Sequence, residues 1–136
     1  MNPVRILVVD DDRLMLTLML RVLRQEGFHH VEKASNGKDG IAKFLQTRPE
    51  IVFLDIEMPE INGIETLKAI KEFGLVTQVV MVTATPTAQY VNASKEGGAA
   101  GFLVKPVSPA KVANAVKACL ENARKEEGDI EIFVCE

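Results

Sequence analysis

The chain has 136 residues, of which 47% are apolar and 26% charged, which is typical of one globular domain that buries a core without disulfides. Its formal net charge of −3 argues against a basic surface for nucleic acid. The first apolar run is too short for a signal peptide or a membrane span, and Cys119 and Cys135 lack the spacing of metal ligands. We therefore expect one cytoplasmic domain that neither binds nucleic acid by itself nor enters a membrane.

Five short apolar runs alternate along the chain with longer segments of helical periodicity. The predicted strands are residues 4–9, 31–34, 51–54, 79–82 and 101–104. The predicted helices are residues 13–26, 38–47, 64–73, 87–96 and 110–124. Strict alternation of strand and helix predicts a parallel sheet with helices on both faces, and the chain is too short for an eight-stranded barrel. The expected fold class is therefore α/β, with an open five-stranded sheet.

Polar side chains follow four of the predicted strands at the point where each strand ends. Asp10 and Asp11 follow the first strand, Asp55 the third, Thr83 the fourth and Lys105 the fifth. Because parallel strands end at one edge of a sheet, these side chains should lie close together there. Carboxylates without histidine or cysteine suit Mg²⁺, and a metal-held carboxylate beside a lysine can attack a phosphoryl group. The residues thus predict a Mg²⁺-dependent phosphoryl acceptor.

Four segments in chain order carry a resemblance to a known family. They are RILVVDD at residues 5–11, DIEMP at 55–59 with Asn62 and Gly63 behind it, MVTA at 81–84 and GFLVKP at 101–106. With these segments the chain resembles the receiver domains of bacterial response regulators over roughly residues 3–121. The resemblance implies a flavodoxin-like sheet of order 2-1-3-4-5 and a receiver domain over residues 3–124.

The resemblance also implies a set of metal-site residues. Asp55 would be the phospho-acceptor and a metal ligand, and Asp11 would bind Mg²⁺ directly. Asp10 would act on the metal through water, and the backbone carbonyl of Glu57 would be a further ligand. The side chain of Glu57 is interpreted as solvated.

The remaining implied roles belong to the switch. Lys105 would pair with the acceptor carboxylate and then with the phosphoryl oxygens, and Thr83 would donate to a phosphoryl oxygen. Phe102 would be the aromatic residue that changes rotamer with Thr83. Because Lys105 must be directed back to the site just after its strand, we expect a cis peptide bond before Pro106.

The implied function is that of a phosphorylation-activated signalling switch in a two-component system or phosphorelay. Its partners would be a sensor histidine kinase or histidine phosphotransfer protein and a downstream protein target, and a homodimer is left open. It would catalyse only its own phosphorylation and dephosphorylation. The alternatives are the N-terminal receiver of a longer regulator, a flavin-binding flavodoxin-like module and an aspartate-nucleophile phosphatase. Three acids after the first strand oppose a flavin phosphate, and the phosphatases expect a second aspartate where this chain has Glu57.

The first predicted helix is apolar around most of its circumference. If Met15, Leu18, Met19, Val22 and Leu23 face the sheet, Leu16 and Leu20 point to solvent, where they could meet a phosphodonor. Three smaller interpretations concern loops and ends of elements. Asp12 is expected to cap this helix, Asn62 and Gly63 to form a turn as residues that tolerate positive φ, and Thr85 to belong to a simple turn.

Residues 125–136 form a C-terminal tail beyond the family pattern. Five of the seven residues in DIEIFVC, residues 129–135, are apolar or aromatic, and neither proline nor glycine interrupts them. A segment of this kind pairs readily with an exposed strand. We expect residues 130–134 to be extended and to pack on a sheet edge, either of the same chain or of a neighbouring copy.

Overall fold

The computed structural model describes residues 3–125 and 131–136. Its strands are β1 (Arg5–Val9), β2 (His30–Ala34), β3 (Ile51–Asp55), β4 (Gln78–Thr83), β5 (Gly101–Val104) and β6 (Phe133–Cys135). Its helices are α1 (Arg13–Gln25), α2 (Gly37–Thr47), α3 (Gly63–Glu72), α4 (Ala88–Glu96) and α5 (Pro109–Asn122). Within those described residues, no helix has the length and apolar character needed to cross a membrane.

All strands belong to one sheet in the order β2-β1-β3-β4-β5-β6, and every pair of neighbours is parallel. The predicted α/β class and the order 2-1-3-4-5 are confirmed. The sheet has six strands instead of five, because the C-terminal tail adds β6 beside β5.

Two apolar clusters, one on each face of the sheet, hold the layers together. On one face α1 and α5 cover side chains of β1, β3, β4 and β5. On the other face α2 and α3 contribute Phe44, Leu67 and Ile70, which pack against alternate residues of the same strands. The central strand β3 is buried along its whole length. Since successive strand residues point to opposite faces, the continuous apolar run of β3 contributes side chains to both clusters.

The rotation of α1 differs from the prediction. Leu16 is 5% exposed and packs in the core with Met19, whereas the exposed leucines are Leu14 at 80% and Leu18 at 40%. Leu20 is half-buried. Asp12 caps the helix as predicted, because its side chain accepts from the backbone N–H groups of residues 14 and 15. The expectations that Leu16 points to solvent and that Leu18 faces the sheet were therefore wrong. An alternative stripe through residues 16, 19 and 23 satisfies the same helical spacing.

The tail pairs with the edge of the chain's own sheet. Phe133, Val134 and Cys135 lie in parallel register with Gly101, Phe102 and Leu103. This confirms the predicted sheet-edge packing for residues 133 and 134, while residues 131 and 132 precede the strand and Ile130 lies outside the described residues. A parallel β5-α5-β6 unit needs a helix as its crossover, and α5 provides one.

Candidate functional site

The site lies at the carboxyl edge of the sheet, where four neighbouring strands end. Asp55 is the last residue of β3 and Thr83 the last residue of β4. Asp10 follows β1 directly, and Lys105 follows β5. The chain therefore delivers these four side chains to one place through strand register alone, as the sequence predicted.

Lys105 joins the two buried carboxylates of the site. Its Nζ lies 3.2 Å from Oδ1 of Asp55 and 3.3 Å from Oδ2 of Asp10. Asp55 and Asp10 are each only 4% exposed. The other oxygen of Asp10, Oδ1, accepts from the backbone N–H of Asp12 at 2.9 Å, which fixes the direction of that carboxylate.

Burial and crowding raise the pKa values of the two carboxyl groups. Burial, followed by the charge of Asp10, raises the pKa of Asp55 to about 7 from an ordinary value of 3.8. Burial also raises the pKa of Asp10. Burial acts to lower the pKa of Lys105, but the carboxylates of Asp55 and Asp10 outweigh it and raise that pKa. Ionisation of these carboxyl groups is therefore unfavourable, and a bound cation would favour it.

Three carboxylates are placed to hold a metal ion. Asp10, Asp11 and Asp55 each offer an oxygen, and these oxygens lie within 4.8 Å of one another. Asp11 is exposed, so a bound ion could keep part of its water. An all-oxygen set with an exposed side fits Mg²⁺, which retains water and takes few protein carboxylates. The role predicted for the backbone carbonyl of Glu57 stays a prediction.

The side chain of Glu57 makes contacts that sequence reasoning missed. Oγ1 of Thr83 donates to Oε1 of Glu57 at 2.5 Å, and Oγ1 of Thr85 donates to Oε2 at 3.4 Å. The backbone N–H of Thr85 in turn donates to Oγ1 of Thr83 at 3.0 Å. Glu57 is exposed, as interpreted, but its carboxylate connects the loop after β3 to the end of β4. An acid two residues after Asp55 was the available signal.

The loop that closes the site at β3 differs from its interpretation. Asn62 caps α3 with φ −82°, in a capping box with Glu65, so it starts a helix and does not use the positive φ that its residue type tolerates. A positive φ of 70° occurs at Glu60 instead. Gly63 is needed for close approach, since a Cβ there would overlap the carbonyl oxygen of Asp55 and the Cα of Ile56. The start of α3 therefore packs directly on the backbone of Asp55 and Ile56.

Two further predicted residues lie around β5. The Lys105–Pro106 peptide bond is cis, the conformation expected from the sequence. Phe102 is fully buried and packs in the cluster on the α2 and α3 face. The backbone N–H of Lys105 donates to the carbonyl of Thr83 at 2.8 Å, which ties the end of β5 to the end of β4.

Comparison with known proteins gives the same picture. The family model for the response regulator receiver domain matches residues 6–117. The chain is 34% identical over 116 residues to the chemotaxis protein CheY of Bacillus subtilis, which covers 85% of this chain and 97% of that protein. It is 31% identical over 112 residues to CheY of Thermotoga maritima, covering 82% of this chain and 93% of that protein.

Solved structures agree with the sequence comparisons. A CheY-like receiver domain protein from Methanospirillum hungatei has a TM-score of 0.84 and 29% identity over 89% of this chain and 96% of its own. The CheY of Borrelia burgdorferi, solved in a complex with CheX, BeF₃ and Mg²⁺, has a TM-score of 0.82 and 32% identity over 87% of this chain and 90% of its own. From its matched sequence, its fold and its acidic edge, the chain belongs to the receiver domain family of response regulators.

Proposed function

We propose that Asp55 accepts a phosphoryl group from a histidine kinase or a histidine phosphotransfer protein, and that the chain then signals to a downstream protein. The observation that carries this proposal is the buried Asp55 carboxylate beside Lys105, at the edge that also presents Asp10 and Asp11. A nucleophile, a cation for the transferring oxygens and a set of metal ligands meet there.

The transfer step uses a carboxylate oxygen of Asp55 as the nucleophile. That oxygen forms a bond to phosphorus while the bond from phosphorus to the donor histidine nitrogen breaks, and the nitrogen keeps the electron pair. The product on the chain is an acyl phosphate. Lys105 exchanges its contact with the carboxylate for one with the phosphoryl oxygens. Bound Mg²⁺ would offset negative charge on those oxygens. Asp10, Asp11 and Asp55 would hold it, together with the carbonyl of Glu57.

The conformational response begins at Thr83. Its hydroxyl leaves Glu57 to donate to the new phosphoryl group, and the loop after β4 follows. Phe102 moves with it, and the surface of α4, β5 and α5 changes to engage the downstream protein. On this surface Tyr90 and Val91 are half-buried and Lys95 is exposed, and we propose these three as contacts.

The extent and setting of this activity form part of the proposal. Residues 3–124 act as the receiver, and residues 125–136 are an addition to it. The chain works in the cytoplasm, catalyses only its own phosphorylation and dephosphorylation, and is able to pair with a second copy.

Labelling with acetyl phosphate tests the proposal. We expect mass spectrometry to show a gain of one phosphoryl group that requires Mg²⁺ and is sensitive to hydroxylamine, as acyl phosphates are. Asp55→Asn should abolish the gain, and Asp11→Ala should raise the Mg²⁺ concentration that it needs. Asp39→Asn, a matched change of an exposed aspartate at the start of α2, should label like the wild type. Equal labelling of Asp55→Asn and the wild type would overturn the assignment.

A further inference from the structure

The C-terminal strand β6 lies outside the matched family region, which ends at residue 117. It occupies the edge of β5, and the backbone N–H of Phe133 donates to the carbonyl of Ala100 at 3.1 Å. Without β6, the backbone of β5 would present unpaired donors and acceptors to other chains. The tail therefore covers an edge that lies between α4 and α5, on the surface proposed above for output.

The position of β6 is fixed by a specific contact. A Cβ added to Gly101 would overlap three ring atoms of Phe133, so the ring fills the place that a side chain at position 101 would take. Phe133 and Cys135 pack against the cluster beneath α1 and α5, while Ile132 packs against the cluster on the opposite face. The tail thus fits a hollow made by one glycine.

This strand is also one of the least protected parts of the described structure. It has three residues, it pairs on one side alone among the described strands, and Val134 is 47% exposed. Phe133 and Cys135 are half-buried. Short strands with exposed side chains and few buried contacts open at a much smaller free energy than the whole domain. Release of β6 would leave the packing of the central strands in place.

β5 connects this cover to the phospho-acceptor site. Its last residue, Val104, pairs with Thr83, and the next residue, Lys105, contacts Asp55. The last pair with β6 is Leu103 with Cys135, two residues before Lys105. A movement of Thr83 and Lys105 toward a phosphoryl group therefore acts on the same four-residue strand that holds β6.

We propose that the β5 edge, with its hollow at Gly101, is a strand-binding surface whose resident occupant is the chain's own β6. The surface takes an extended apolar segment with an aromatic side chain above Gly101. Phosphoryl acceptance at Asp55 weakens the pairing of β6 with β5 and exposes the β5 edge. This last step rests on the proposed function, whereas the binding of β6 in the hollow does not.

Hydrogen exchange at the amide of Phe133 tests the hold on β6 in the full chain. Phe133→Ala should raise the exchange rate at position 133 at least tenfold, because the substitution removes the ring that fills the hollow at Gly101. Val134→Ala, a change in the same strand at an exposed side chain, should raise it less than threefold. Gly101→Ala should match Phe133→Ala, and the double variant should add nothing further, since both changes remove one contact. Exchange of the wild-type amide as fast as in a free peptide would overturn the proposal.

A synthetic peptide of residues 129–136 tests the surface itself under reducing conditions. It should bind the Phe133→Ala chain, whose hollow is open, and bind the Gly101→Ala chain at least tenfold more weakly, because the new Cβ fills the hollow. A peptide with alanine in place of phenylalanine is the matched control and should bind neither chain. Equal binding of the peptide to the two variants would show that the hollow does not recognise the phenylalanine ring, and it would overturn the proposed strand-binding surface.

Beryllium fluoride with Mg²⁺, the combination found with the Borrelia burgdorferi relative, tests the coupling. We expect it to speed exchange at the Phe133 amide at least threefold in the wild type. By thermodynamic reciprocity, Phe133→Ala and Gly101→Ala should bind beryllium fluoride more tightly, by at most the same factor, and Val134→Ala should bind it like the wild type. Binding with unchanged exchange and unchanged affinities would overturn the coupling. Absence of binding to the wild type would instead overturn the proposed function and the coupling with it, and the exchange data without ligand would still decide the hold on β6.

Discussion

Thr83 has its hydroxyl committed in two directions. It donates to Glu57 at 2.5 Å and accepts from the backbone N–H of Thr85 at 3.0 Å. A hydroxyl has one proton to donate, so Thr83 can serve a phosphoryl oxygen only after it has left Glu57. In the proposed switch, Glu57 would therefore oppose the movement of Thr83 through this hydrogen bond.

Removal of that hydrogen bond should favour the activated form. We expect Glu57→Ala to raise the affinity for beryllium fluoride with Mg²⁺ about three- to tenfold, since one hydrogen bond to a charged group at a solvated position contributes about 1 kcal/mol. Titration followed by fluorine NMR gives the affinity. Glu60→Ala removes one charge from the same loop without a contact to Thr83 and serves as the control. Equal gains in both variants would assign the effect to charge alone.

The Glu57 contact could not be predicted from the sequence because it joins residues 26 positions apart, one of which lies in the irregular loop after β3. Strand register predicts where Asp55 and Thr83 emerge, and those positions were predicted correctly. Register says nothing about the course of the chain after a strand ends. The conformation of Glu60, with φ 70°, is an example of a loop feature that no residue type announces.

At the scale of elements, predictability depended on how many alternatives a pattern allowed. Ser108 followed by Pro109 permits a helix start and little else, and α5 begins there. β3 has one apolar run and one possible register. By contrast, eight of the thirteen residues of α1 are apolar, so two different stripes were compatible with burial. Packing against the sheet selected the stripe with Leu16 and left Leu14 and Leu18 outside.

Those two exposed leucines lie in the first two turns of α1, directly after the acidic residues of the site. We expect Leu14→Glu to slow phosphoryl transfer from a kinase or phosphotransfer protein at least tenfold, because an apolar contact at the docking surface becomes charged. Labelling by acetyl phosphate should not change, since the Leu14 side chain is 80% exposed. Radiolabel transfer and mass spectrometry measure the two routes.

The control for this prediction is Val76→Glu. Val76 is 91% exposed and precedes β4, so it lies toward the opposite end of the strands from the site. The Val76→Glu variant should accept the phosphoryl group from the donor protein as fast as the wild type. If the Leu14→Glu variant accepts the phosphoryl group as fast as the Val76→Glu control, α1 does not face the donor protein.

At the scale of the whole molecule, the buried carboxyl groups of the site lower the stability of the fold. Apolar clusters on both faces of the sheet bury the strands, and the same strands end in carboxylates that are desolvated and crowded. The pKa of Asp55 is raised from 3.8 to about 7, so the folded chain retains a proton that the unfolded chain loses. Stability is therefore highest below the unfolded value and falls as pH rises from about 4 to about 7. The core outweighs this cost.

Asp55→Asn should accordingly stabilise the protein at pH 8 in the presence of EDTA, although it removes the acceptor. The expected gain in the free energy of unfolding is about 1 to 4 kcal/mol, the upper figure corresponding to the full rise in the pKa. The gain should shrink below pH 7 and vanish near pH 4, where the folded wild type holds its proton. It should also shrink in Mg²⁺, which stabilises the wild type by binding to its folded form. Urea unfolding followed by circular dichroism measures these differences, because the chain contains no tryptophan. Asp39→Asn is the control: it removes a carboxylate from the first turn of α2 and should not stabilise the protein at pH 8. A gain that stays constant from pH 4 to pH 8 would show that the charge of Asp55 is not its cause.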